Sequence, residues 1–184
     1  MPMRSPSHGF TILELSVAMA IAVLLLSIGM PSFTTFIRNS EIRSTAESIS
    51  NGLRAARTEA TRLNQPVSFS LVGGGPGWAI NEFDTATGKL IQPPIQQYDK
   101  AEAGKTTKAV TTPPTAVAVT FNGLGRVISP SPVATPNLQQ IDVNSAVAGE
   151  ARTLRVYVDD ARSIRICDPD PAIKALVPAD ARAC

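Results

Sequence analysis

From Phe10 to Met30 the chain is an almost unbroken apolar run of 21 residues, broken near its start by one carboxylate, Glu14. As a helix rising about 1.5 Å per residue, the run would extend about 31 Å, enough for the hydrocarbon core of a bilayer. An acidic residue at the centre of such a helix costs roughly 2.5–3.5 kcal/mol, less toward its end, so it is normally there for function and has a partner that neutralises it. The candidate partner is a new amino terminus, made by cutting between Gly9 and Phe10. Two plainer readings stay open. One is a secretory signal peptide with Ala18-Met19-Ala20 as an A-x-A site, although cutting there would strand Ile21 to Ile28 at the new terminus. The other is an ordinary one-span anchor. Arg4 lies before the run and Arg38 and Arg43 beyond it, so charge gives only a weak indication of orientation.

The stretch Gly9-Phe10-Thr11-Ile12-Leu13-Glu14 resembles the class III signal of type IV pilins and type II secretion pseudopilins. Gly, Phe and Glu stand at the family's offsets from the apolar run. The resemblance implies that residues 1–9 are a leader removed by prepilin peptidase and that the freed Phe10 amine is N-methylated. It also implies that Glu14 docks the subunit in a filament by pairing with a neighbour's terminal amine. The implied setting is the bacterial inner membrane, crossed once by residues 10–30, with the C-terminal part in the periplasm. The implied partners are other pilins or pseudopilins and the inner-membrane assembly platform.

Beyond the run the pattern stays helical. Ile42, Ala46, Ile49, Leu53, Ala56, Ala60 and Leu63 step alternately by four and three, which puts them on one face. Arginines and glutamates lie between them. Pro31 reads either as a break at the membrane surface or as a kink in a continuing helix. Gly52 is a tolerated weak point, and Leu63-Asn64-Gln65-Pro66 is a stop. Residues 31–65 are therefore expected to be an amphipathic continuation of the spine, its apolar face covered by a sheet of the same chain or by neighbouring helices.

Residues 66–184 read as a β-rich domain. Val67–Leu71 alternates apolar and polar, and Gly73–Gly77 turns it into Trp78-Ala79-Ile80. That glycine run lacks the Lys-Ser/Thr and following helix of a phosphate-binding loop. A second turn, Asp84–Gly88, leads to Lys89–Ile91. Residues 92–115, rich in Pro, Gln, Thr and Lys, are expected to be a mobile surface loop. Strands follow at Val117–Phe121, Ile141–Val143, Thr153–Val158 and Ser163–Cys167, with a Pro-containing loop at 129–137 and a turn at 159–162. The expected class is α+β: a long N-terminal helix packed on mostly antiparallel strands, matching the pilin architecture.

A narrower resemblance runs through the body. Ala55–Val67 is similar to the helix-exit segment of the GspH/FimT pseudopilins, and Thr120–Arg126 to their Phe-x-x-x-Gly-Arg strand and turn. Arg165-Ile166-Cys167-Asp168-Pro169 and the closing Asp180-Ala181-Arg182-Ala183-Cys184 resemble the C-terminal part of FimT-type minor pilins.

In an extracytoplasmic domain, the two cysteines, Cys167 and Cys184, suggest one disulfide pinning the tail to the last strand. Two free thiols are the alternative. A bridge over 17 positions would contribute on the order of 3 kcal/mol in the chain-entropy model. No metal or cofactor site is expected, since zinc wants four ligands and His8, in the leader, is the sole histidine. Its loss also removes His-based triads. Asp159-Asp160 reads as an exposed turn, and no catalytic residue is expected.

Some FimT-type minor pilins bind DNA through a C-terminal Gly-Arg-x-Arg element, which this chain matches only at Arg165. Ser163 stands where the first arginine belongs, with Arg162 displaced by one residue. Six basic and six acidic residues balance between Glu150 and Cys184, whereas phosphate binding needs clustered positive charge. Arg126, Arg162 and Arg165 are the candidate contacts if folding gathers them. The resemblance thus implies a minor pilin or pseudopilin of a type IV pilus or type II secretion system, acting in filament assembly and protein secretion. The alternatives are a DNA-binding minor pilin acting in DNA uptake and an anchored domain that never polymerises.

Overall fold

The computed structural model describes residues 9–99, 106–129, 131–133, 136–147, 151–158, 164–176 and 182–184, without the side chains at 28–29, 31–32 and 175–176. The order of elements is α1 (Ile12–Leu63), β1 (Val67–Val72), β2 (Gly77–Asp84), β3 (Lys89–Leu90), β4 (Gln96–Tyr98), β5 (Thr107–Thr112), β6 (Ala118–Phe121), β7 (Gln140–Ser145), β8 (Leu154–Val158), β9 (Ile164–Cys167) and α2 (Pro171–Leu176). Two compact units divide it, one ending at Ile37 and the other spanning Arg38–Cys184.

In the first unit the described side chains from Phe10 to Ser27 are all exposed. The apolar exposure continues past Met30 to Phe33, Phe36 and Ile37, farther than the sequence run suggested. Among the described residues no helix is long and apolar enough to cross a membrane. The helical backbone passes through Pro31, so the reading of a break there is overturned.

In the second unit the apolar stripe does what its spacing demands. Ile42, Ala46, Ile49, Leu53, Ala56 and Ala60 are all buried, and Leu63 is partly so. The cover comes from the chain's own sheets. One runs β3-β2-β1-β6, with β4 also on β2; the other runs β5-β7-β8-β9, and all pairings are antiparallel. Val67, Phe69, Ile80 and Val119 from the first and Ile141, Val143, Val156 and Val158 from the second share one core with the stripe. α1 ends in a Schellman arrangement: Asn64 takes φ 52° and the Gln65 N–H reaches back to the Ala60 carbonyl at 3.3 Å.

The expectation of a mobile loop over 92–115 is corrected. β4 pairs Trp78–Ile80 with Tyr98–Gln96, and β5 pairs with β7 along its whole length. β5 escaped the alternation test because its inward positions are Thr107, Ala109 and Thr111 while Val110 points outward. The short helix α2 was also missed. Its start was legible: Asp170 accepts from the Ala172 N–H at 2.8 Å as an N-cap, with Pro171 at the first helical position. The turn expected at 159–162 lies outside the described residues.

Candidate functional site

The start of α1 is built by Thr11. Its Oγ1 accepts the Glu14 N–H at 3.2 Å, and its carbonyl accepts the Leu15 N–H at 3.1 Å. Thr11 is thus the N-cap and Glu14 the third helical residue, in the first turn, where the helix dipole favours a carboxylate. The Thr-x-x-Glu spacing is that of a capping box, a signal the sequence reading did not use. Gly9 and Phe10 precede the helix and are exposed, and among the described residues beyond its chain neighbours nothing lies within 4 Å of where a Cβ on Gly9 would sit.

The polar groups along this helix divide sharply. Ser16 and Ser27 each return their hydroxyl to a backbone carbonyl of the preceding turn, at 2.8 Å to Ile12 and 2.8 Å to Leu24. Those hydroxyls carry their own partners into an apolar medium. Glu14 differs: among the described residues nothing pairs with its carboxylate. From Ile12 to Ser27 it is the one polar side chain without an internal partner in the described structure. Transfer into lipid or a helical core requires that a partner come from outside.

At the other end of the chain, Cys167 and Cys184 form a disulfide with their Cα atoms 5.2 Å apart. The Asp168 N–H donates to the Arg182 carbonyl at 2.6 Å, and the Cys184 N–H to the Asp168 carbonyl at 3.1 Å. The buried Asp168 carboxylate pairs with Arg152 and accepts the Asp170 N–H at 3.0 Å. The described tail residues are therefore tied to the end of β9 by covalent and polar bonds together.

The three arginines considered for DNA are not brought together by what is described. Arg165, on β9, lies over the Tyr157 ring at 5.9 Å to its centroid. Arg126 follows β6 of the other sheet and is exposed. Arg162 lies outside the described residues. Of the charged groups in the second unit, Arg155 is pushed above its usual range, first by its hydrogen bonds to Asp142 at 2.7 and 3.0 Å. That pair belongs to the β7–β8 ladder.

A family model described as "Type II transport protein GspH" matches residues 45–166, and one for the prokaryotic N-terminal methylation motif matches residues 4–30. The second match contains Gly9, Phe10 and Glu14. Among solved structures, the type IV minor pilin FimU of Pseudomonas aeruginosa strain PAO1 is similar at 20% identity and a TM-score of 0.50, over 74% of this chain and 94% of FimU. The solution structure of E. coli GspH is 17% identical with a TM-score of 0.49, over 71% of this chain and 89% of that one. No curated protein matches the chain. The likeness to FimU shows a pilin fold: an N-terminal helix on antiparallel sheets.

Proposed function

This chain belongs to the GspH family of pilin-like structural subunits, and on that basis we propose that it is cut between Gly9 and Phe10, methylated on the new Phe10 amine, and docked in its filament through Glu14. It is a minor pilin or pseudopilin, and its family and fold are those of structural subunits, not enzymes. The observation that carries the docking role is the Glu14 carboxylate, left without a described partner beside serines that satisfy themselves.

A neighbour's Phe10 amine supplies the missing charge. Two unit charges at about 4 Å attract by about 4 kcal/mol at an effective dielectric of about 20, comparable to the cost of leaving the acid unpaired. Before assembly, residues 10–30 hold the subunit in the inner membrane with Arg38–Cys184 in the periplasm. The exposed apolar side chains of the first unit find lipid there and neighbouring helices in the filament. Prepilin peptidase and the inner-membrane assembly platform are the partners on the way.

The chain serves a type IV pilus, a reading supported by the disulfide-closed Cys-Asp-Pro ending that resembles FimT-type minor pilins. The second reading, a type II secretion pseudopilus, is favoured by the description of the matching family model. Crosslinking in cells separates them: recovery of pilus subunits supports the first, recovery of secretion pseudopilins the second. The docking role is tested by Glu14→Ala at equal expression. Incorporation is expected to collapse while the soluble domain stays folded; assembly equal to wild type refutes it. DNA binding is not carried forward, since neither the described arginines nor the comparisons support it.

A further inference from the structure

We infer that Asp168 and Arg152 are positioning residues for closure of the Cys167–Cys184 bridge, and that through them the closed bridge holds α1 at Asn39. The ladder of β8 and β9 sets Arg155 opposite Cys167. Just past that end, the tail and the start of β8 both meet Asp168. Its main chain takes the tail: a parallel bridge pairs it with Ala183, its N–H donates to the Arg182 carbonyl at 2.6 Å, and its carbonyl accepts the Cys184 N–H at 3.1 Å. Its carboxylate is only 4% exposed. One oxygen accepts the Asp170 N–H at 3.0 Å, and the other accepts from the Arg152 guanidinium. The backbone N–H of Arg152 donates in turn to Asn39 Oδ1 at 3.0 Å. Asn39 stands at the start of the second unit, which begins at Arg38. Non-covalent bonds therefore bring Cys184 to Cys167, and the same residues join β8 to α1.

A chain end already held beside its partner thiol closes at a high effective concentration, because the loop entropy has been lost before the covalent step. Cys167 is buried and Cys184 only partly so, which makes Cys184 the residue an oxidant reaches first. With glutathione disulfide as oxidant, the Cys184 thiolate attacks one sulfur and displaces one glutathione thiolate. The Cys167 thiolate then attacks the Cys184 sulfur, the bridge forms, and the second glutathione leaves. The protein gives up two electrons and its two thiol protons, and the oxidant becomes two glutathione thiols. With tail residues 182–184 bonded alongside, the Asp168 carboxylate stays buried, where its pairing with Arg152 is screened less than a surface pair would be. Linkage makes the effect reciprocal: what closure adds to the Arg152–Asn39 contact, that contact adds to closure.

The test equilibrates the full-length chain, in detergent, with buffers of reduced and oxidised glutathione and counts free thiols by mass after alkylation. Arg152→Ala is expected to shift the equilibrium toward the dithiol by about tenfold, the effect of losing a hydrogen bond to a charged group, and Arg152→Lys to recover part of the shift. The deciding variant is Asn39→Ala, whose described side-chain bond is to Arg152. Its expected shift is about threefold, that of one neutral hydrogen bond. An equilibrium equal to wild type overturns the positioning role for Arg152→Ala and the link to α1 for Asn39→Ala. Arg43→Gln breaks an exposed pair elsewhere on α1 and is expected to leave the equilibrium where it is; a shift as large as that of Asn39→Ala overturns the link as well. The wild-type chain supplies a measurement that needs no substitution. Reduction is expected to quicken hydrogen exchange at the Arg152 amide, and equal exchange in the two redox states overturns the proposal.

Discussion

Gly52 sits inside α1, where alanine would normally stabilise the helix by about 1 kcal/mol. The structure predicts the opposite. A Cβ at this position would lie 2.8 and 2.9 Å from Trp78 Cε2 and Cδ2 and 3.0 Å from Phe69 Cε2. Carbon atoms pack comfortably at about 3.5–4.0 Å, so the indole must retreat by about 0.7 Å. It is poorly placed to do so. Its Nε1 donates to Ser48 Oγ at 3.1 Å, Tyr98 stacks on it at 5.9 Å between centroids, and Phe69 meets it at 5.8 Å. Overpacking of this kind costs about 1–3 kcal/mol. Setting about 2 against the helical gain of about 1 leaves a net loss of about 1 kcal/mol, or roughly 3 °C in Tm for a domain of this size. Trp78 is the sole tryptophan, so its fluorescence reports both unfolding and the displacement of the ring. Thermal unfolding of wild type and Gly52→Ala in detergent is the assay. In a Ser48→Ala background, where the indole is untethered, the same change should cost less. A raised Tm for Gly52→Ala with an unshifted emission spectrum would refute the reasoning.

Replacing both Cys167 and Cys184 by serine should lower stability by about 3 kcal/mol and expose the tail to limited proteolysis; a Tm unchanged from wild type counts against a stabilising bridge. Thr11→Ala removes the oxygen that accepts the Glu14 N–H; a cap of this type is worth about 1 kcal/mol, so hydrogen exchange at residues 12–15 should quicken while the second unit is unchanged. Asp84 has its pKa lowered, first by the Thr87 hydroxyl and then by the Ala86 N–H. A carboxyl lowered in the folded state adds stability above its unfolded value, near 3.8, and loses it as pH falls through the folded value. Asp84→Asn should therefore flatten the acid limb of a Tm-versus-pH curve, and an unchanged limb would show that the turn contributes nothing.

The elements legible in the sequence were those whose signal is local. The four-three stripe from Ile42 to Leu63 named in advance the residues buried at the centre of the second unit, because a helix repeats its buried face every few residues. Val67–Leu71 and Trp78–Ile80 were equally plain as strands. β4 was not legible: Gln96, Gln97 and Tyr98 have no strand character of their own and form one because Trp78–Ile80 offers an edge. β5 shows the same limit, since hydroxyls occupy its inward positions and Thr107 meets Thr45 of α1 at 3.4 Å. At the candidate site, Gly9, Phe10 and Glu14 stand out in the sequence by their spacing from the apolar run, and their proposed roles come from the family resemblance. Thr11 was passed over because its role is a single hydrogen bond that only the helix start reveals.

What the sequence alone determined was a helix with two different halves. One has no polar face to show to water and carries a lone acid; the other has a stripe to bury. Local periodicity and hydrophobicity are enough for that, because each residue's preference can be read without knowing its distant neighbours. Tertiary structure decided what covers the stripe, how Gly52 makes room for Trp78, and how Asp168 joins the tail to Arg152. Those outcomes depend on contacts between residues far apart in the chain. Their energies come from packing and paired hydrogen bonds that exist only once the sheets have closed on the helix.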